Sequence, residues 1–135
     1  MYTNILIPVA FEEGRDVDGA VTVARTLAAT GAHITFLHVM EQMPVYATEF
    51  VPVDMMAQTK DKVGARLREL AETLEGARTA VTEGPSGRGI TNWAEENGAD
   101  CIIIASHRPV MSDLLLGSTA AWVVRHAQCA VHVIR

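Results

Sequence analysis

The chain has 135 residues, 49% hydrophobic and 20% charged, with a net charge of −5. That length fits a single domain over residues 1–135 and buries roughly two thirds of the unfolded surface, so the core needs no staples. The acidic balance and the lack of a Lys/Arg run exclude a non-specific nucleic-acid binder, and no apolar run nears the ~18 residues of a membrane span or follows a basic signal-peptide start, so the expected compartment is cytoplasmic.

Apolar runs at Ile5–Val9, Ile34–Val39, Thr79–Thr82, Ile102–Ala105 and Ala130–Ile134 read as strands, four of them rich in Ile and Val. Between the first two, Val17, Ala20, Val21, Ala24, Leu27 and Ala28 form a helical stripe, with Asp16 as N-cap and Gly31 just past its end. Met40–Asp54 reads as a long loop. Met56, Thr59, Val63, Leu67, Leu70 and Leu74 then form a second stripe ending at Gly76. A third helix starts at N-cap Ser86, turns Ile90, Trp93 and Ala94 inward and stops at Gly98, and a fourth shows Ala120, Val123, Val124 and Ala127 on one face. Strands alternating with helices imply right-handed crossovers, a parallel sheet and helices on both faces: a doubly wound, Rossmann-like α/β fold. Such sheets bind ligands at the carboxyl ends of their strands.

Cys101 and Cys129 sit in or beside apolar runs and read as reduced, buried thiols. The chemistry concentrates in Ala105–Thr119, which leaves a buried strand and enters a helix at Gly117-Ser118-Thr119. Free N–H groups and the helix dipole attract an anion at such an end, and Arg108 offers a compensating cation. The plainer reading is that Ser118 only caps the helix. Ser106-His107 does not make a nucleophile pair, since adjacent residues in extended chain point apart. His33, His38, His126 and His132 lack paired metal spacing and read as surface or helix-end residues. Gly84-Pro-Ser-Gly-Arg-Gly89 fits neither phosphate-loop pattern and reads as a turn with a cap.

The stretch Ile102–Ser118 with Val124-Arg-His-Ala-Gln-Cys-Ala-Val-His-Val-Ile-Arg135, together with Asn4-Ile-Leu-Ile-Pro-Val9 and Phe36-Leu-His-Val39, resembles the universal stress protein family. The family pattern there is a strand, Gly-x-x-Gly, a spacer and Gly-Ser/Thr opening a helix. The resemblance implies a five-stranded sheet in the order 3-2-1-4-5 and a homodimer paired through Ala130–Ile134. It also implies a regulatory ATP site, with or without Mg²⁺. Carried over residue by residue, Gly117, Ser118, Thr119 and Ala120 meet the phosphates. Ala105 and Arg108 take the two earlier glycine positions, with Ser106 and His107 between them. Val39 pairs its backbone with adenine beside Pro8, Val9 and Ala10. The Ser106-His107-Arg108-Pro109 variant resembles one branch of the family.

The chain departs from the pattern at Ala105 and Arg108, at a spacer (Pro109–Leu116) one residue short, and at Ala10, where many nucleotide binders carry Asp. Those departures leave open a nucleotide-free interaction protein, and a slow ATP hydrolase is a third reading with Asp113 as its only nearby carboxylate. Other doubly wound folds fit less well. A dinucleotide enzyme needs its glycine fingerprint, and a flavodoxin a Ser/Thr-rich loop, where this chain reads Pro8-Val-Ala-Phe-Glu-Glu-Gly14. A response-regulator receiver needs an acceptor Asp where Thr82-Glu83-Gly84 stands.

Overall fold

The computed structural model describes residues 1–11, 17–41, 53–106 and 116–135. Its elements run β1 (Tyr2–Pro8), α1 (Val17–Leu27), β2 (Ala28–Met40), α2 (Val53–Ala71), β3 (Arg78–Glu83), α3 (Ser86–Glu96), β4 (Cys101–Ala105), α4 (Ser118–His126) and β5 (Ala130–Ile134). All strands pair in parallel, in the order β3-β2-β1-β4-β5. The expected topology is therefore observed. Asp16, Glu12 and Glu13 lie outside the described residues, as does 42–52 of the predicted loop. Of that loop's ends, Met40 completes β2 and Asp54 begins the turn of α2.

Strand side chains alternate, and here both alternating sets are buried. Ile5, Ile7, Phe36 and Ile103 pack under Ala20, Val21 and Ala24 of α1 and Leu67 of α2. On the opposite face Leu6, Leu37, Ile102 and Ile104 meet Ile90 and Ala94 of α3 and Ala120 and Val123 of α4. Each fully buried Leu, Ile or Phe contributes about 1.5–3 kcal/mol. The unbroken apolar runs of β1 and β4 follow from this covering on both sides.

Several local expectations need correction. β2 begins at Ala28, which pairs with Tyr2, so α1 ends one residue earlier than its stripe suggests. Gly31 does adopt a left-handed φ of 77°, but inside the irregular start of β2 rather than at a helix end. Met56 is 44% exposed and Thr59 is exposed, because only the second half of α2 rests on the sheet, through Leu67 and the half-buried Val63 and Leu70. Val124 is 48% exposed, one step of about 100° around α4 from the fully buried Val123. Cys101 is buried and Cys129 only half-buried; both are free thiols. Burial, with added repulsion from Cys129 and Asp100, pushes the Cys101 thiol up to about 11, so it stays protonated at neutral pH.

At the amino edge the Asp100 carboxylate ties β4 to β1. It accepts from the Thr3 N–H (2.8 Å), the Thr3 hydroxyl (3.0 Å) and the Asn4 N–H (3.0 Å), while the Asp100 N–H donates to the Asn4 carbonyl (2.9 Å). Partial burial alone would raise its pKa, but the hydrogen bonds from Thr3 and Asn4 outweigh burial and hold it below the ordinary 3.8. A carboxylate whose folded pKa is lowered contributes stability that is present above the unfolded value and lost as pH falls through the folded one. Asp100→Ala is therefore expected to cost about 1–2 kcal/mol at pH 7, a fall of roughly 3–6 °C in midpoint. Thermal melts should show that difference shrinking below pH ~4; a gap unchanged down to pH 2 would contradict the assignment.

Candidate functional site: a cleft at the carboxyl edge

β1 and β4 are paired only at Ile5–Cys101 and Leu6–Ile102, whereas β1 stays beside β2 through Pro8–Leu37. Beyond Ile102 the two strands part. This is the place where strand order reverses: from β1 the chain winds outward through β2 and β3, then returns to β4 on the other side. A cavity of about 510 Å³ opens there, within the size range of small-ligand pockets. Pro8, Val9, Ala10, Val39, Ala105, Ser118 and Thr119 all line it.

Backbone direction explains why this edge can recognise a ligand. The Val9 N–H donates to the Leu37 carbonyl (2.7 Å), so Leu37 turns its backbone toward β1. Two residues on, Val39 turns its N–H and C=O the same way, where β1 has already ended. Met40, of opposite phase, accepts from the Gly84 N–H (2.9 Å) on the β3 side. Val39 thus presents a donor and an acceptor side by side to the cleft. Its side chain is braced by α3, since a Cβ on Gly89 would stand 2.8 Å from Val39 Cγ1.

The far wall is the start of α4. Gly117 is the N-cap, with φ −58° and ψ 153° and no side-chain capping bond, so Ser118 is the first helical residue rather than the cap. The Gly117 N–H donates to the Ser106 carbonyl (2.7 Å), and the first bond of the helix runs from the Ala121 N–H to the Gly117 carbonyl (2.8 Å). The N–H groups of Ser118, Thr119 and Ala120 lie in the turn that has no intrahelical acceptor, the arrangement that binds anions. Ala120 keeps its methyl in the core, and only its backbone is available to such a ligand.

Ser106 does not line the cavity. Fully buried, it donates its N–H to the Ile134 carbonyl (2.8 Å), and its own carbonyl accepts from the Gly117 N–H. His107, Arg108 and Asp113 fall outside the described residues. Among the described residues no group of His, Cys, Asp and Glu is placed to hold a metal ion, and no helix is long and apolar enough to cross a membrane.

Several lining residues were not anticipated. His38, read as a surface histidine, sits with Nδ1 2.7 Å from the Val9 carbonyl oxygen, which makes Nδ1 the protonated nitrogen. Its ring lies 5.1 Å from that of Phe11, and the Arg66 guanidinium covers Phe11 at 4.6 Å, closing the α2 side. Ser86 is not the N-cap of α3; that position belongs to Pro85, and the Ser86 hydroxyl donates to Glu41 Oε1 at 2.7 Å. Glu41 is the one charged side chain among the described lining residues. The bland reading of Gly84–Gly89 therefore holds for the backbone but misses what its serine does.

These features define a doubly wound α/β protein with a cleft at the switch point of its sheet. Residues 1–135 match the model of the universal stress protein family, and the chain belongs to that family. Universal stress protein G of Escherichia coli O157:H7 is 32% identical over 142 residues, covering 100% of both chains. Among solved structures, universal stress protein UspA from Lactobacillus plantarum is 28% identical with a TM-score of 0.73, over 99% of this chain and 98% of that one. Two more distant matches were solved with nucleotides. One is a universal stress protein in complex with cAMP (TM-score 0.64, 16% identity, 99% and 97% covered). The other is a universal stress protein family protein from Arabidopsis thaliana with AMP bound (TM-score 0.61, 17% identity, 98% and 90% covered).

The bracing of Val39 by Gly89 generates a test. Gly89→Ala is expected to gain about 1 kcal/mol in helix propensity but lose about 1–3 kcal/mol to the crowded contact. Combining it with Val39→Ala should relieve the clash, so chemical denaturation should find the double variant more stable than the sum of the single changes by at least about 1 kcal/mol. Additive effects would show that the two residues do not press on one another.

Proposed function

We infer that this protein is a regulatory nucleotide-binding protein that holds ATP across its carboxyl edge. The observation that carries the reading is the polarity of the cleft. An uncapped helix start stands over β4, and an unpaired donor–acceptor backbone edge stands over β2. A nucleotide has the matching polarity, with phosphates at one end and a hydrogen-bonding base edge at the other. In this reading Gly117, Ser118, Thr119 and Ala120 hold the phosphates, Ala105 stands near the ribose, and Val39 pairs with the adenine edge beside Pro8, Val9 and Ala10. The relatives solved with AMP and cAMP support an adenine nucleotide as the ligand class.

His107 and Arg108, which follow Ser106 in the Ser-His-Arg-Pro form of the loop, belong to this proposal as nucleotide-binding residues. Mg²⁺ would accompany the phosphates. The proposed role is binding and signalling rather than rapid turnover; the described lining groups able to take a proton are the Glu41 carboxylate, held by Ser86, and His38 Nε2. Occupancy acts by biasing dimerisation or partner contact, which requires a difference in affinity between the two states.

The protein is further proposed to act in the cytoplasm as a homodimer through β5. That strand lies at the sheet edge, and the Ile134 carbonyl faces β4, where it takes the Ser106 N–H. By alternation Val131 and Val133 face outward, leaving backbone groups available to a second copy. Val133→Pro removes one outward N–H without touching the β4 ladder, so sedimentation should find the wild type dimeric and this variant monomeric.

Ser118→Asp tests the phosphate site. A carboxylate in the first turn favours the helix by about 0.3–1 kcal/mol yet repels a phosphate. The variant should melt no lower than wild type and lose at least roughly tenfold in ATP affinity, whereas wild type at a hundredfold excess over Kd should gain about 2.7 kcal/mol. Unaltered ATP affinity in Ser118→Asp, or no thermal shift and no nucleotide released on denaturing the purified wild type, would overturn the reading.

A further inference from the structure

We propose that Glu41, oriented by Ser86, reads the exocyclic amino group of the bound base and sets a preference for adenine over 6-oxopurines. The inference rests on the nucleotide reading above and assigns to this chain the residues that make that site selective.

Leu37 and Val39 share one face at the end of β2, and Glu41, the residue after the strand, meets α3 on that side through Ser86. Leu37 is buried in the core below, Val39 packs against α3 at Gly89, and Glu41 reaches the cleft at the rim. The carboxylate is not left to swing freely. Ser86, in the first turn of α3, donates to Oε1 at 2.7 Å, and α3 is fixed to the sheet through Ile90 and Ala94. A carboxylate has no hydrogen to give, so whatever it faces in a ligand must be an N–H or O–H donor.

Position decides which donor. The anion end of the cleft stands over β4 and Glu41 stands at the end of β2, with β1 between them. Two strand spacings, roughly 10 Å, separate them, so a nucleotide anchored by phosphate at α4 brings its base, not its sugar, toward Glu41. Phosphate at the Glu41 end would meet a negative charge, which fixes the direction of binding. Ala10 on the neighbouring wall offers only a methyl group, so the carboxylate of this cleft comes from β2.

At the base, Val39 sets an acceptor beside a donor. Adenine answers with its 6-amino group and N1. One amino hydrogen goes to the Val39 carbonyl, and the second is free for Glu41. A 6-oxopurine instead places an oxygen between two acceptors, one of them charged, and its N1–H against the Val39 N–H. Leaving such groups unmatched is what makes a hydrogen-bonding site selective.

The test is the affinity of the full chain for ATP and for ITP, which differ at position 6 of the base, measured by calorimetry. Wild type is expected to prefer ATP by about a hundredfold. Glu41→Gln, whose amide can donate to the 6-oxygen, should cut that preference by about tenfold with an unchanged melting temperature, since Glu41 is exposed. Ser86→Ala, which frees the carboxylate, should cut it less. Wild-type preference for ATP that persists within twofold in Glu41→Gln overturns the role of Glu41 and leaves the nucleotide reading standing. Equal binding of ATP and ITP by wild type does the same. Binding of neither nucleotide removes both.

Discussion

β1 is the central strand, and its two neighbours part company with it at different heights. Pairing with β4 ends at Leu6–Ile102, while pairing with β2 continues to Pro8–Leu37. The cleft, the exposed backbone of Val39 and the position of α4 all depend on that difference. It arises because the chain leaves β1 for one side of the sheet and returns to the other, so no crossover fills the space above the parting strands. The core below keeps it open: Ile7, Leu37 and Ile104 are almost wholly buried and form a floor that cannot rise without losing contacts on both faces of the sheet.

Electrostatics then give the cleft a direction. The protein carries a net charge of −5, so its overall field does not attract a polyphosphate. In the proposed reading local donors do so, from the uncapped first turn of α4, with no lysine or arginine among the described lining residues. Under that reading Glu41 at the opposite rim adds a local repulsion that leaves the phosphates the α4 end.

The covering of both faces was legible because Ile5-Leu6-Ile7 and Ile102-Ile103-Ile104 are apolar in both alternating phases, which only a strand buried on both sides requires; the strand order came only with the family resemblance. The start of α4 was legible as well, through Gly117 between a buried strand and an apolar helical stripe. What sequence could not show are contacts between residues distant along the chain. Ser86 has every local mark of an N-cap, yet its hydroxyl serves Glu41, forty-five positions away. His38 looked like a surface residue because nothing nearby announces the Val9 carbonyl that its ring meets. Val124 and Met56 continued apolar stripes past the area their helices cover, and periodicity does not reveal where a neighbouring surface ends. A usable signal for Glu41 did exist: it follows β2 directly, just beyond Val39, a residue already assigned to the cleft.

The central claim is that one ligand bridges the backbone of Val39 and the first turn of α4. Titrating isotope-labelled protein with ATP and following the backbone amides by NMR tests it directly. The account predicts that the amides of Val39, Glu41, Ser118, Thr119 and Ala120 shift together along one saturation curve, with the strand interiors of β3 and β5 undisturbed. Shifts at α4 alone would reduce the site to a simple anion site, and shifts confined to residues outside the cleft, or none at millimolar ATP, would contradict it.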